Sequence, residues 1–147
     1  MIFIYKILST FFYLGYLPAS GTFGTLASIP LIYLLKKYLS PFYLTFTLIF
    51  FVISIYISDE TEKIFNKKDP KEIIIDEVLG FLIVFIFNDF NNFNLILGFI
   101  LFRILDIFKP SIISKVQNIR GGYGIVLDDA LAGFITSLLV YFINLYK

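Results

Sequence analysis

The 147-residue sequence contains no cysteine and no histidine. Without cysteine there is no disulfide, no thiolate metal site and no thiol nucleophile. Without histidine there is no imidazole base, no phosphohistidine and no imidazole metal ligand. Charge is also scarce: Asp, Glu, Lys and Arg make up 16% of the chain and balance to +1. That balance gives no electrostatic footprint for nucleic acid. Any chemistry must therefore come from carboxylates, hydroxyls, Lys, Arg or Tyr.

What the chain has in excess is apolar surface. Hydrophobic residues make up 59% of it, against about 45–50% in soluble domains. A fold this small leaves much of its surface in contact with solvent, and the polar residues are too few to cover that surface. The composition predicts a bilayer as the natural solvent. The length fits one domain over residues 1–147, and no repeat, low-complexity tract or linker divides it.

No charge interrupts residues 7–35 or 38–58, and a membrane-spanning helix needs about 20 apolar residues. Gly15, Pro18, Gly21 and Gly24 break the first run. The expectation is a short helix near 2–15, a turn near 16–21 and a helix near 22–38. Lys6 lies inside the apolar region and no A-x-A site follows, so no cleaved signal peptide is expected. A helix near 41–63 comes next, then a charged loop over 63–72. Apolar segments near 73–88 and 93–108 are separated by a turn of Asn and Asp residues. Each is about 24 Å long at 1.5 Å per residue, short of a hydrocarbon core of about 30 Å. A polar connection over 110–124 leads to a last helix near 125–146. The expected fold is all-α, a multi-pass membrane bundle of about five to six helices.

Lysines and arginines set the orientation. Lys63, Lys67, Lys68 and Lys71 share one connection, and Lys109, Lys115 and Arg120 share another. Lys36 and Lys37 fall on the opposite side. The richer side is expected to be cytoplasmic. This threading brings Asp76 and Glu77, then Arg103, Asp106 and Lys109, then Asp128 and Asp129, to one membrane depth. The turn around Gly21 and Thr22 lands there too. Ionisable groups at such depth are costly and point to function. Each also has a bland reading: Asp128 and Asp129 as helix caps, and Arg103, Asp106 and Lys109 as an i, i+3, i+6 salt-bridge ladder. Asp76 and Glu77 fit a cap less well, because isoleucines precede them and Val78 and Leu79 follow.

Carboxylates without His or Cys suit hard divalent cations, which take oxygen ligands and bridge to phosphates. Such an ion polarises a phosphoryl oxygen and helps to generate a nucleophilic water. Arg103 and Lys109 could hold phosphate oxygens. Backbone N–H groups at the turns containing Gly21 and Gly121-Gly122 offer further anion ligands.

Four motifs carry a family resemblance. They are Ser20-Gly21-Thr22-Phe23-Gly24-Thr25, Asp76-Glu77-Val78-Leu79-Gly80, the stretch Phe102-Arg103 through Asp106 to Lys109-Pro110, and Gly121-Gly122-Tyr123-Gly124 through Asp128-Asp129 to Ala132-Gly133. In this order and over nearly the whole length, the chain resembles the phosphatidylglycerophosphatase A family. Ser20 stands where the family usually has Pro, and Thr25 where it usually has Ser. The resemblance implies removal of the terminal phosphate from phosphatidylglycerophosphate, a Mg2+ cofactor and an all-helical fold. It further implies a phospholipid substrate in the bilayer and a site on the cytoplasmic face of the inner membrane. On this reading Asp76, Glu77, Asp128 and Asp129 hold Mg2+, and Gly21, Thr22, Arg103, Lys109, Gly121 and Gly122 bind the phosphate. Asp106 orients Arg103 and Lys109 or joins the metal site. Water attack and an aspartyl-phosphate intermediate both stay open. Two rival classes are a cation-coupled transporter and a non-catalytic membrane subunit. The chain shows no internal repeat, and its acids lie at helix ends, which argues against the transporter.

Overall fold

A computed structural model describes residues 2–146. Among them all regular structure is helical. The α-helices are α1 (Ile2–Ser9), α2 (Ser20–Tyr38), α3 (Tyr43–Phe65), α4 (Ile75–Val84), α5 (Asn92–Phe108), α6 (Ser111–Gln117) and α7 (Gly122–Leu145), with short 3-10 turns at Leu14–Tyr16 and Ser40–Phe42. Two stretches, Ser40–Phe65 and Gly122–Leu145, are long and apolar enough to cross a bilayer. Only 22% of the most apolar window of the first is buried. A helix with so little apolar cover is unusual for a protein surrounded by water.

The architecture centres on α4. Every residue of this helix except Glu77 is buried. A helix that is apolar all round belongs inside a bundle, and α4 packs against α2, α3, α5 and α7. Phe81 and Phe85 meet edge to face at 5.4 Å between ring centroids, and Phe81 also packs on Phe102 of α5. The α4–α7 contact is the most extensive. A methyl group on Gly133 would overlap the carbonyl of Gly80, and one on Gly80 would come within 2.7 Å of the Asp129 carbonyl oxygen. Glycine at both positions lets the two backbones touch.

The structure departs from the sequence expectation at four places. The segment near 73–88 was expected to run outward for about 24 Å, but α4 has 10 residues, about 15 Å. Its far end is closed by polar groups. Asn88 Nδ2 donates to the Val84 carbonyl at 2.8 Å and to the Ser137 carbonyl at 2.9 Å. Lys36 Nζ donates to the Asn88 carbonyl at 3.1 Å, and Tyr43 Oη donates to the Leu82 carbonyl at 2.7 Å. These side chains satisfy the carbonyls that a helix end leaves open.

The connection over 110–124 contains a helix, α6, which raises the count among the described residues to seven α-helices. Pro110 stands at its N-cap, and Ile113 is fully buried against the core. The first helix stops at Ser9, because Phe11, Phe12 and Tyr13 take left-handed φ values of 44°, 58° and 68°. Gly15 then meets the Glu72 carbonyl so closely that a side chain would overlap it. The last helix starts at Gly122, earlier than expected, so Asp128 and Asp129 sit inside α7 instead of at its first residues.

Candidate active site

The start of α4, the end of α5 and the flank of α7 meet at one end of the bundle. The Ile74 amide donates to the Ser9 carbonyl at 2.9 Å, which fixes the entry to α4 and places Asp76 and Glu77 in its first turn. The Gly80–Gly133 contact holds α7 alongside, bringing Asp128 and Asp129 to the same level. From α5 come Asp106, near its end, and Lys109, its C-cap residue in the left-handed conformation at φ 39°.

The cavity between them has a volume of about 200 Å³ and is lined by Asp76, Glu77, Asp106, Lys109, Asp128 and Asp129, joined by Ser20, Asp69, Lys71 and Ile73. One carboxylate oxygen from each of Asp76, Glu77 and Asp129 lies within 4.8 Å of the others. Asp76 and Asp129 are 7% and 3% exposed. Asp76 Oδ1 and Glu77 Oε2 are buried with no hydrogen-bond partner. Unpaired carboxylate oxygens of like charge, out of water and this close, are costly unless a cation joins them. An all-oxygen donor set fits a hard divalent ion such as Mg2+.

Asp128 and Asp106 are each paired with a base. Lys109 Nζ donates to Asp128 Oδ2 at 2.6 Å, and the Asp129 amide donates to Asp128 Oδ1 at 3.0 Å. Asp128, expected with the metal ligands, therefore stands outside the close trio. Burial alone would lower the Lys109 ammonium. The bond and charge from Asp128, with Asp129 and Asp106 behind, outweigh it and hold the group above the ordinary lysine value. Arg103 Nη1 donates to Asp106 Oδ2 one helical turn away.

The phosphate-binding candidates divide. Gly21 packs directly on the site: a methyl group there would come within 2.5 Å of Glu77 Oε1 and 2.9 Å of Arg103 Nη1. Arg103 thus stands behind Gly21 and Asp106 and is not on the cavity wall. Thr22 is also off that wall, in the first turn of α2, with its amide bonded to the Ala19 carbonyl at 2.9 Å. Gly121 and Gly122 lie elsewhere. The Gly122 amide donates to Asp59 Oδ1 at 3.1 Å, and a side chain on Gly122 would overlap the Ile55 carbonyl. These glycines seat α7 against α3.

The sequence reading missed Ser20, Asp69 and Lys71 as wall residues. Ser20 Oγ donates to the Lys71 carbonyl at 2.7 Å, and the Asp69 amide donates to Glu62 Oε1 at 3.0 Å. Two tethers thus lay the α3–α4 loop against the cavity. Asp69 has φ 47°, an uncommon conformation before a proline. The Asp-Pro pair was the available signal, since it marks an ordered turn.

Comparison with known proteins identifies the family. The family model described as phosphatidylglycerophosphatase A matches residues 7–144. Phosphatidylglycerophosphatase A of Escherichia coli (strain K12) is 35% identical over 126 residues, covering 84% of this chain and 73% of that protein. Its namesake in Haemophilus influenzae is 33% identical over 130 residues, covering 86% and 80%. A Bacteroides thetaiotaomicron protein with the provisional name phosphatidylinositol-3-phosphatase is 32% identical over 148 residues, covering 94% and 92%. No solved structure gives a significant match. With its motifs in order, its acids gathered at one cavity and a match along nearly its whole length, the chain belongs to the phosphatidylglycerophosphatase A family.

Proposed function

We propose that this chain is a single-domain, multi-pass membrane phosphatase that releases the terminal phosphate of phosphatidylglycerophosphate, leaving phosphatidylglycerol. The observation that carries the reading is the close trio Asp76, Glu77 and Asp129, of which Asp76 and Asp129 are buried, with two unpartnered buried oxygens, beside the cationic Lys109. The trio would hold Mg2+. When bound, the ion supplies Lewis-acid polarisation of the phosphoryl group and neutralises its charge.

The chain's own groups then have distinct tasks. Lys109, kept charged by Asp128, meets the phosphate oxygens as a point charge. Asp106 and Arg103 brace each other and back Gly21, so the Glu77 carboxylate keeps its place. Closure of the α3–α4 loop by Ser20 and Glu62 limits water around the ester. In the reaction an oxygen nucleophile bonds to phosphorus, the bond to the glycerol oxygen breaks, and that oxygen takes a proton. If water attacks, its proton balances the leaving alcohol. If a carboxylate oxygen attacks, water later hydrolyses the aspartyl phosphate.

On this reading this end of the bundle faces the cytoplasm at the inner membrane, an orientation supported by the lysines and arginines of its loops. There a lipid head group can reach the acids while its acyl chains stay in the bilayer. The test is phosphate release by purified protein from phosphatidylglycerophosphate, with and without Mg2+. Phosphatidic acid and phosphatidylinositol 3-phosphate serve as competing substrates, the latter because of the Bacteroides relative's name. Asp76→Asn and Asp129→Asn are expected to lose turnover while remaining folded in detergent. Normal phosphate release from both would remove the site assignment. Preference for the inositol lipid would shift the substrate and leave the site in place.

A further inference from the structure

A second cavity of about 390 Å³ opens where the end of α3 meets the start of α7, lined by Lys63, Lys67, Lys68, Arg120, Glu62 and Gly121 among others. It shares no lining residue with the acidic cavity, and its charge is opposite, four cations against one carboxylate. Lys63 is already held by Asp59 at 2.8 Å and Glu60 at 2.7 Å. Lys67, Lys68 and Arg120 are exposed and form no ion pair among the described residues. At the start of α7, Asp59 occupies the Gly122 amide. The cations are the recognition element.

We propose that this cavity binds the phosphate of an anionic phospholipid, at a place separate from the acidic cavity. The fold favours a lipid over a soluble anion. Lys63 continues a face of α3 that carries Val52 and Tyr56 at i, i+4 and i+11 spacing, and both are exposed, at 65% and 59%. A head group at Lys67, Lys68 and Arg120 would thus have apolar helix surface beside it for its acyl chains. The cavity also adjoins the active site. Glu62 lines it and accepts the Asp69 amide that tethers the α3–α4 loop. This inference rests on the reading that α3 and α7 cross a bilayer, and not on the phosphatase reading.

The experiment places the full-length protein in phosphatidylcholine bilayers and measures retention of spin-labelled phosphatidylserine against spin-labelled phosphatidylcholine. A basic residue near the head groups is worth about a fivefold gain in affinity for anionic lipid. Wild type is expected to prefer phosphatidylserine, and Lys67→Gln/Lys68→Gln/Arg120→Gln to lose most of that preference. Lys67→Arg/Lys68→Arg is expected to keep it, which separates charge from folding. Excess inorganic phosphate should leave the preference intact, and displacement by phosphate would overturn the lipid assignment. An equal preference in wild type and the triple glutamine variant would overturn the site. Phosphate release in detergent by the triple variant should stay within about twofold of wild type, since none of the three lines the acidic cavity. Failure of phosphatase activity in both proteins would sink the enzymatic reading and leave this one standing.

Discussion

Gly21 shows how one missing methyl group shapes the site. Its hydrogen faces both Glu77 and Arg103, so any side chain must displace a carboxylate of the trio, a guanidinium, or both. Gly21→Ala is expected to lower kcat/KM for phosphate release by about a hundredfold, the usual effect of a displacement near 1 Å in a catalytic group. Its unfolding midpoint in detergent should change little, because the Glu77 carboxylate borders a cavity into which it can shift. Activity within twofold of wild type would show that Glu77 does not need its present position. Lys109 makes a contrasting case. Lys109→Met leaves Asp128 buried beside an apolar chain, and loss of one partner from such a pair costs about 3 kcal/mol. A raised lysine pKa contributes stability that is complete below the unfolded value of about 10.4 and fades as pH rises through the folded value. The wild-type protein should therefore keep this contribution across neutral pH, with the difference from Lys109→Met narrowing only in strong alkali. A stability gap that already closes near pH 8 would contradict the pairing.

Among the elements, α4 does the most positioning. Its near end presents two acids, its middle touches α7 through Gly80 and Gly133, and its far end is stopped by Asn88. Overpacking at the middle contact should be more damaging than loss of the far stop. Gly133→Ala is expected to cost about 1–3 kcal/mol and to reduce activity, since it forces Asp129 away from Asp76 and Glu77. Asn88→Ala removes hydrogen bonds worth about 1 kcal/mol each at the end of α4 opposite the acids. The folded fraction should therefore turn over at near wild-type rate. Thermal unfolding combined with phosphate release per folded molecule separates the two. If Asn88→Ala inactivates protein that is still folded, the acids depend on the far end of α4 as well as on its contact with α7.

At the scale of the whole molecule, the proposed orientation is open to a direct test, because the sequence has no native cysteine. Single substitutions Lys68→Cys and Lys37→Cys are expected to label with a membrane-impermeant thiol reagent from opposite sides of the membrane, Lys68→Cys from the cytoplasmic side. Labelling of both from one side would undo the out-and-back threading and the shared depth of the acids.

The sequence determined a good deal by itself. An apolar fraction of 59% with two uncharged runs admits helices and little else in a bilayer, because lipid cannot satisfy open backbone groups. Helix locations followed from where charge, Gly and Pro interrupt those runs, and the acids stood out because they sit where burial is expensive. What composition could not decide was which acid faces which partner. Asp76, Glu77, Asp128 and Asp129 look alike as a sequence pattern and line one cavity, yet only three bring carboxylate oxygens within 4.8 Å of one another, while Asp128 pairs with Lys109. The glycine turns looked alike as well. Gly21 touches the site, whereas Gly121 and Gly122 pack on α3. Those choices depend on distances between helices far apart in the chain, and contacts such as the Gly80–Gly133 backbone approach and the Asn88–Ser137 hydrogen bond fix those distances only once the bundle has closed.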